Sequence, residues 1–413
     1  MTARSPLSPA SSRYSRQELF PGIGPGGQAR IRAARVLVVG CGALGSSLAE
    51  MMVRAGVGSL TVVDRDDLEE SNLQRQSLFD ERDLAAGLPK AAAAEAKLRA
   101  INSEVKVTGL VADVSADNAS ELVRAADLVL DGTDNFETRF LINDVCVREG
   151  VPWVYGACVG SYGAALAVRP KATPCLRCLL EEPPPPGSAP TCDTAGVIAP
   201  IVHVVAGIQA GEALKLLAGR TESLLAGLVT VDLWPGGGLG RATTAPDNGN
   251  GQSARRIHFG EGEGGLGGAT TAPDSGNGQS ARRIHFGEHE GGLGGATTAP
   301  PSLMTLLDLR GRAPWCPACT AGRFDYAERA SGGSAVLCGR DAVQVRPPLG
   351  ASIDLPLLAG RLSAVGRVSA NEHLVRFISA EGEMVVFRDG RAIVKGVSDP
   401  ARARSLYAKY VGS

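Results

Sequence analysis

The sequence predicts an α/β protein with a doubly wound, mostly parallel sheet and a small C-terminal α+β domain. A glycine-rich turn joins a short apolar strand, Arg35–Val39, to a segment of helical length. Further short apolar runs alternate with helix-length segments as far as residue 233, which is typical of parallel sheets built from strand–helix–strand units. After residue 330 the pattern changes to short strands joined by tight turns.

Length and composition limit the class of protein. The chain has 413 residues, enough for two domains or for one large domain with an appendage. Its hydrophobic content of 44% supports a sizeable core, and its net charge of −1 gives no reason to expect a nucleic acid or a membrane as partner. Residues 1–12 are rich in Ser, Pro and Ala without an apolar core, so we expect a disordered lead-in rather than a secretory signal. We find no apolar run that suits a bilayer span, and we expect a cytoplasmic protein.

The glycine-rich turn Gly40-x-Gly42-x-x-Gly45 follows the first strand and opens a helix predicted over 46–55. Glycines let the backbone turn tightly and approach a phosphate, and the helix N-terminus offers unpaired N–H groups. A second strand, predicted over 60–63, ends at Asp64, where a carboxylate commonly holds a ribose hydroxyl. This unit predicts a nucleotide site, and NAD(P) and FAD are open alternatives at this point.

Two segments after Asp64 favour an anionic ligand. Asn72, Arg75 and Gln76 follow the second strand closely and are expected near the nucleotide. Lys90 opens a predicted helix, Lys90–Ile101, where a positive charge opposes the helix dipole, so a triphosphate beside it would explain its position. An ordinary surface lysine is the alternative.

Arginines before the first strand and a carboxylate after the fourth are further candidates. Arg13 and Arg16 suit phosphate oxygens, although a solvated amphipathic helix would also account for the pair. Asp134 follows the strand predicted over 127–130, and ligands of open α/β sheets lie beyond the carboxyl ends of the strands. We therefore expect Asp134 to hold Mg²⁺, and the alternative is an N-cap for the helix predicted over 135–150.

The remaining elements of the first domain continue the alternating pattern. They are a strand at 105–114, a helix at 117–125, a strand at 151–156, an antiparallel strand at 163–168, a helix at 197–217 and a strand at 228–233. We expect this last strand to end the sheet.

Four of the nine cysteines form two C-x-x-C pairs, Cys175 with Cys178 and Cys316 with Cys319. Two such pairs suit a closed tetrahedral zinc site. A redox dithiol is the alternative, and it fits less well because neither pair opens a helix in a thioredoxin-like setting. Four thiolates leave no position for a substrate, so the zinc would be structural. It would fasten residues 301–329 onto the first domain.

Cys192 follows a run of four prolines, 183–186, and lies just ahead of the helix predicted over 197–217. Consecutive prolines predict an extended surface connection. A thiol near a helix N-terminus can have a lowered pKa and act as a nucleophile. The alternative is an inert small residue.

Residues 237–300 contain a tandem repeat with a period of 27 residues. The repeated unit is rich in Gly, Thr and Asn and has few apolar residues, so it predicts a disordered linker without a function of its own.

Residues 330–413 predict a small α+β domain. Its strands are predicted at 343–345, 374–378, 383–387 and 391–395, its helix at 400–410, and a hairpin turn at 388–391. It contains no arrangement typical of a catalytic site.

The combined motifs resemble the MoeB/ThiF/HesA family, relatives of ubiquitin-activating enzymes. The resemblance covers residues 13–233 and the second cysteine pair, and it implies a Rossmann-like adenylation domain over 13–236. The matching motifs are Arg13-Tyr-x-Arg16-Gln17, the glycine turn, Asp64, Asn72-Leu-Gln-Arg75-Gln76, Pro89-Lys90, Thr133-Asp134-Asn135, both cysteine pairs and Thr191-Cys192.

The resemblance implies an adenylyltransferase that uses MgATP and a small ubiquitin-like sulfur carrier protein ending in Gly-Gly. Arg75 and Lys90 would face the phosphates, and Asp134 would hold Mg²⁺. The expected nucleotide-binding residues are Gly40, Gly42, Gly45, Asp64, Asn72, Gln76 and Asn135.

The resemblance also implies partners. Arg16 reaches the active site of the other subunit in this family, which implies a homodimer. The cysteine that matches Cys192 bonds to the carrier in some relatives and is dispensable for adenylylation in others. A cysteine desulfurase or a sulfurtransferase would supply the sulfur.

Two other functions compete with this one. An NAD-dependent oxidoreductase would share the glycine turn and Asp64, but it would leave Lys90 and the cysteine pairs unexplained. A non-catalytic scaffold for a carrier protein predicts losses among the charged motif residues, which are all present. The catalytic motifs do not separate thiamine, molybdopterin, tRNA thiolation and cysteine synthesis, because the adenylylation step is common to all.

Overall fold

We describe a computed structural model of the chain. It describes residues 13–184, 191–234, 304–309, 313–328, 342–346 and 352–412, and the backbone of the short strands at 243–244, 257–258 and 334–337. The predictions for residues 1–12 and for most of the repeats lie outside the described residues.

The described part of the chain contains the following helices and strands. The strands are β1 (Arg35–Val39), β2 (Ser59–Asp64), β3 (Lys106–Val111), β4 (Leu128–Asp131), β5 (Trp153–Val159), β6 (Tyr162–Val168), β7 (Gly227–Asp232), β8 (Thr243–Thr244), β9 (Ile257–His258), β10 (Met304–Asp308), β11 (Ser334–Leu337), β12 (Ala342–Val345), β13 (Arg367–Ala370), β14 (Leu374–Ser379), β15 (Gly382–Phe387) and β16 (Ala392–Lys395). The helices are α1 (Ser15–Leu19), α2 (Gly24–Ala33), α3 (Ala43–Ala55), α4 (Glu81–Ala86), α5 (Lys90–Ile101), α6 (Ala119–Arg124), α7 (Phe136–Glu149), α8 (Cys192–Ala195), α9 (Ala199–Leu217), α10 (Leu355–Leu362) and α11 (Pro400–Tyr410).

The first sheet has eight strands in the order β10-β7-β6-β5-β4-β1-β2-β3. Strands β3, β2, β1, β4 and β5 run parallel, and β6, β7 and β10 extend the sheet in antiparallel pairings. The carboxyl ends of the parallel strands therefore meet along one edge, where open α/β sheets bind their ligands. The predicted fold class is confirmed.

Helices cover both faces of this sheet. On one face α3, α5 and α9 pack their apolar sides on the strands, with Leu48, Met52, Leu98 and Val205 fully buried. On the other face α6 and α7 do the same, with Phe140 and Val145 fully buried. Both faces of the strands are apolar because neither face meets water.

The prediction that residues 228–233 end the sheet was wrong. Strand β10 lies beyond the repeats in sequence and pairs antiparallel with β7, from Met304 opposite Val231 to Asp308 opposite Gly227. The chain therefore returns to the first sheet after the repeats. Of the repeats themselves, the structure describes the two-residue strands β8 and β9, which pair with each other.

Helix α9 is long and apolar enough to cross a membrane by length and composition. In the structure it packs against α3, β5 and β6, and Ile201, Val202, Val205 and Ala206 are fully buried there. Its apolar character is thus explained by its place in the core.

The C-terminal domain is an antiparallel sheet in the order β11-β12-β16-β15-β14-β13. Helices α10 and α11 pack on one face of it. The opposite face buries Leu374, Val385, Phe387 and Ile393, and Val111 of the edge strand β3 packs against them. The predicted hairpin turn is present, since Phe387 N–H donates to the carbonyl of Arg391. The prediction missed β11, α10 and β13.

Candidate active site

The glycine turn brings three backbone segments into direct contact. Gly40 has a φ of +84°, and a Cβ added there would lie 2.8 Å from the carbonyl oxygen of Gly132 at the end of β4. A Cβ on Gly45 would lie 1.8 Å from the carbonyl oxygen of Gly40. Only glycine fits at these positions, and the N-terminus of α3 is thereby held against the ends of β1 and β4.

Asp64 ends β2 beside this turn. Its carboxylate accepts hydrogen bonds from Cys41 N–H at 2.5 Å and from Asp66 N–H at 2.7 Å. Asp64 is buried, and burial raises the pKa of its carboxyl group. The two backbone donors hold the carboxylate at the glycine turn, where a ribose hydroxyl can reach it.

Lys90 is buried at the start of α5, with a side chain only 3% exposed. Its ammonium group lies 3.2 Å from a carboxylate oxygen of Asp66, and its backbone N–H donates to the carbonyl of Asp66 at 2.9 Å. Lys90 is therefore not an ordinary surface lysine. Sequence reasoning missed Asp66, although an aspartate two residues after Asp64 was a visible signal.

The segment that carries Asn72, Arg75 and Gln76 reaches the glycine turn through Gln76. A short 3-10 helix, Glu70–Asn72, begins it, and Asn72 is buried and accepts from Glu69 N–H at 3.2 Å. Arg75 is half-buried and donates to the carbonyl of Ser71 at 2.7 Å. A Cβ on Gly42 would lie 3.9 Å from Nε2 of Gln76, so Gln76 borders the turn.

Asp134 is exposed beyond the end of β4, and its charge acts on Arg65 and Arg139. The N-cap of α7 is Asn135, whose side-chain oxygen accepts from Thr138 N–H at 2.8 Å. The alternative role of Asp134 as an N-cap was therefore wrong. Because Arg65 follows Asp64 directly, Asp134 lies on the same edge of the sheet as the Asp64 carboxylate.

A buried ion pair supports the loop before Asp134, and sequence reasoning missed it. Asp131 accepts from the backbone and hydroxyl groups of Thr133 at 2.9 and 2.7 Å, and Arg139 lies 3.3 Å from it. Arg139 also donates to the carbonyl of Thr133 at 2.6 Å. Gln209 on α9 donates to the carbonyl of Asp131 at 2.9 Å. These partners come from β4, the loop after it, α7 and α9, so no single local pattern signalled them.

Arg16 does not join this group within one chain. It is exposed on α1, and its neighbour Gln17 donates to the carbonyl of Ala55, the last residue of α3. The glycine turn lies at the other end of α3, which has 13 residues. A helix of that length spans about 20 Å.

Cys192 begins the short helix α8 and lies beside the carboxyl end of β5. The side chain is half-buried, and its thiol can donate a hydrogen bond to the carbonyl oxygen of Cys158, which lies 3.3 Å from Sγ. Because β5 runs parallel to β4, this places Cys192 on the same edge of the sheet as Asp64 and Asp134. Burial raises the pKa of the Cys158 thiol beside it.

The four cysteines of the two C-x-x-C pairs come together, with all Sγ atoms within 4.8 Å of one another. The distances are 3.9 Å from Cys175 to Cys178, 3.5 Å from Cys175 to Cys316 and 3.3 Å from Cys178 to Cys319. Tetrahedral zinc with bonds of about 2.3 Å separates its sulfur ligands by about 3.8 Å. The cluster could hold a zinc ion.

Arg177, between the first two cysteines, joins this cluster to α7. It lies 3.1 Å from Asp144 of α7 and 3.0 Å from Asp325, and its guanidinium group stacks over the ring of Tyr326. Tyr326 N–H also donates to Asp144 at 3.1 Å. These contacts attach residues 313–328 to α7, the helix whose N-cap is Asn135.

Comparison with known proteins gives consistent matches. Residues 14–251 match the ThiF family. A sulfur carrier protein ThiS adenylyltransferase of Bacillus subtilis is 43% identical over 404 residues, 97% of this chain and 100% of that protein. A SAMP-activating enzyme E1 of Haloferax volcanii is 45% identical over 212 residues, which are 51% of this chain and 77% of that protein. A sulfur carrier protein adenylyltransferase of Thermus thermophilus is 42% identical over 226 residues, which are 53% of this chain and 82% of that protein.

We predict that Gly45→Ala destabilises the chain, because the added methyl group would overlap the carbonyl of Gly40. The free energy of unfolding should fall by about 2 kcal/mol or more, as for overpacked core sites, and ATP binding should weaken with it. Gly26→Ala is the control, since no atom lies within 4 Å of its added Cβ in α2. Denaturant unfolding of both variants is the measurement, and equal stability of the two would contradict the contact.

Proposed function

The chain belongs to the ThiF family, and from this premise we propose that it adenylylates the C-terminal glycine carboxylate of a sulfur carrier protein, consuming ATP and releasing pyrophosphate. One observation carries the proposal. Asp64, Lys90 and Asp134 lie on one edge of the sheet around the glycine turn, in a chain that matches an adenylyltransferase over 97% of its length. Membership of this family argues against the oxidoreductase alternative, and the match to a named adenylyltransferase along 97% of the chain argues against the scaffold alternative.

The proposed step joins two anions. The carrier carboxylate attacks the α-phosphorus of ATP, a new O–P bond forms, and the bond to the pyrophosphate oxygen breaks. Charge repulsion opposes this approach, so cations at the site must neutralise it, and each well-placed charge typically contributes about 3 kcal/mol to the transition state. Lys90 and Arg75 supply the positive charge in this proposal.

The nucleotide would occupy the edge of the sheet above the glycine turn. The N-terminus of α3 would face the phosphates, Asp64 would hold the ribose, and Asn72 and Asn135 would border the site. Gln76 fits this role because its Oε1 is buried and has no hydrogen-bond partner among the described residues. A bound nucleotide, or the water that accompanies it, would supply one.

Asp134 is proposed as the magnesium ligand. It is an exposed carboxylate at the carboxyl end of a parallel strand, and Mg²⁺ prefers one or two carboxylates together with substrate phosphates. The ion would offset the charge of the phosphates when bound.

We propose a ThiS-like carrier ending in Gly-Gly as the substrate, and thiamine synthesis as the pathway. The protein matched along nearly the whole chain is named for ThiS, whereas the other two matches span about half of the chain. A MoaD-like carrier of molybdopterin synthesis is the alternative. We further propose that Cys192, on the same edge of the sheet, acts in sulfur transfer to the carrier, with a cysteine desulfurase or sulfurtransferase as sulfur donor. A cytoplasmic location suits these partners.

We predict that Arg75→Ala and Lys90→Ala each abolish adenylylation, because each removes a cation from the phosphate site. Cys192→Ala should keep it, because the thiol acts only in sulfur transfer. The measurement is the AMP adduct of a ThiS-like protein by mass spectrometry, together with ATP–pyrophosphate exchange. Lys97→Ala is the control, a lysine of α5 that pairs with Asp80 and Asp83 instead. Equal loss in Arg75→Ala and Cys192→Ala would show that the role of Cys192 is wrongly assigned.

The homodimer proposal gives a complementation test. Arg16 lies about a helix length from the glycine turn of its own chain, so we propose that it serves the site of a second copy. Arg16→Ala and Arg75→Ala should each be inactive alone, whereas an equal mixture that exchanges subunits should regain about a quarter of the wild-type rate, from the one intact site of each mixed dimer. A mixture that stays inactive despite subunit exchange would contradict the shared site.

We propose that the cysteine cluster holds a structural Zn²⁺ ion. Cys178→Ser should reduce the zinc content, lower the melting temperature and expose residues 313–328 to protease, because metal binding contributes directly to folding. Cys192→Ser, outside the cluster, should retain one zinc per chain. Metal analysis of the purified chains is the measurement, and zinc retained at full stoichiometry in Cys178→Ser would rule out this ligand set.

A further inference from the structure

The C-terminal domain contacts the segment that follows β2, which we call the ribose loop (residues 64–69). Four of its six residues are acidic, namely Asp64, Asp66, Asp67 and Glu69. These carboxylates repel one another, and Arg65 and Lys90 of the adenylation domain offset part of this charge. The loop therefore needs further positive charge to stay in one conformation.

The C-terminal domain supplies this charge. Arg376 makes a close ion pair with Asp67, and Lys395 lies 2.7 Å from Glu69. Arg391, only 3% exposed, donates to the carbonyl of Arg65 at 2.7 Å. The three residues lie on β14, on β16 and in the turn before β16, so one sheet presents all of them.

A second group of contacts holds Arg65 from the other side. Arg65 lies 3.1 Å from Asp113, and Asp113 also accepts from Gln344 at 3.0 Å and pairs closely with Arg346 of the C-terminal domain. Burial alone would raise the pKa of the Asp113 carboxyl group, but the charges of Arg65 and Arg346 outweigh it and keep that pKa below its usual value. Arg65 is thus fixed at both its carbonyl and its guanidinium group.

The ribose loop in turn fixes two groups of the proposed active site. Asp66 N–H donates to the Asp64 carboxylate, and the Asp66 side chain pairs with Lys90. A displacement of the loop would therefore move both the ribose carboxylate and the phosphate-facing lysine.

We propose that the C-terminal domain is a positioning element of the ATP site, and that Arg391, Arg376 and Lys395 hold the ribose loop in its ATP-binding conformation. This inference rests on the proposed function for the identity of the nucleotide. None of the three residues touches the reacting atoms. They act through Asp64 and Lys90, so they should affect ATP affinity and leave the affinity for the carrier unchanged.

The test uses the full chain and Mg²⁺ with α,β-methylene-ATP as the probe. Arg391→Met and the double variant Arg376→Met, Lys395→Met should weaken binding of the analogue about tenfold, within the range of indirect coupling effects. Arg391→Lys should recover most of the affinity, because an ammonium group can also donate to the carbonyl of Arg65. Lys409→Met is the control, since Lys409 pairs with Glu381 inside the C-terminal domain.

Two further readouts separate positioning from general loss of structure. Hydrogen exchange at residues 64–69 and 90 should accelerate in the two methionine variants, and the carrier affinity should match that of the wild type. Analogue affinity within twofold of the wild type, or unchanged exchange in the ribose loop, would overturn the proposal. If the wild type binds the analogue but transfers no AMP from ATP itself to the carrier, only the proposed function is overturned, whereas no binding of the analogue would overturn both.

Discussion

The buried ion pair between Lys90 and Asp66 is the contact on which the nucleotide end of the molecule depends. Lys90 begins a helix, where the dipole disfavours a cation, and its side chain is only 3% exposed. Its charge is stable there because Asp66 offsets it at 3.2 Å. Breaking such a pair by removing one partner typically costs about 3–5 kcal/mol, since the other charge stays buried and unpaired. The same aspartate orients Asp64, so one pair fixes both proposed contacts to ATP.

The end of β4 repeats this arrangement with other residues. Asp131 and Arg139 form a second buried pair, and Arg139 also donates to the backbone just before Asp134. At β4 the buried pair lies behind the exposed Asp134, whereas at β2 it lies beside the buried Asp64. At both strand ends the buried charges are thus paired with each other. Pairing keeps charged groups stable at the sheet edge, where a polyanion would bind.

The local parts of this site could be predicted from the sequence, and the supporting parts could not. The glycine turn, Asp64 and Lys90 each belong to a short sequence pattern, a strand end or a helix start, that can be recognised from neighbouring residues. Arg139 and Gln209 matter because of partners that lie 6 to 78 positions away, and such pairing leaves no local signal. Strand β10 was missed for a related reason, because its partner β7 lies on the other side of the repeats.

The position of the repeats explains how the chain tolerates them. They lie between β7 and β10, which pair side by side, so the insertion lengthens a loop whose ends are already close. The entropy of closing a loop grows slowly, by about 0.6 kcal/mol for each doubling of its length. The described residues after the repeats contact the first domain at three places. Strand β10 pairs with β7. Cys316 and Cys319 meet the first cysteine pair beside α7, and the C-terminal domain packs on β3 and the ribose loop. Because the C-terminal domain contacts the ribose loop beside the proposed ATP site, the proposal makes the segment after the repeats part of what shapes that site, together with the adenylation fold.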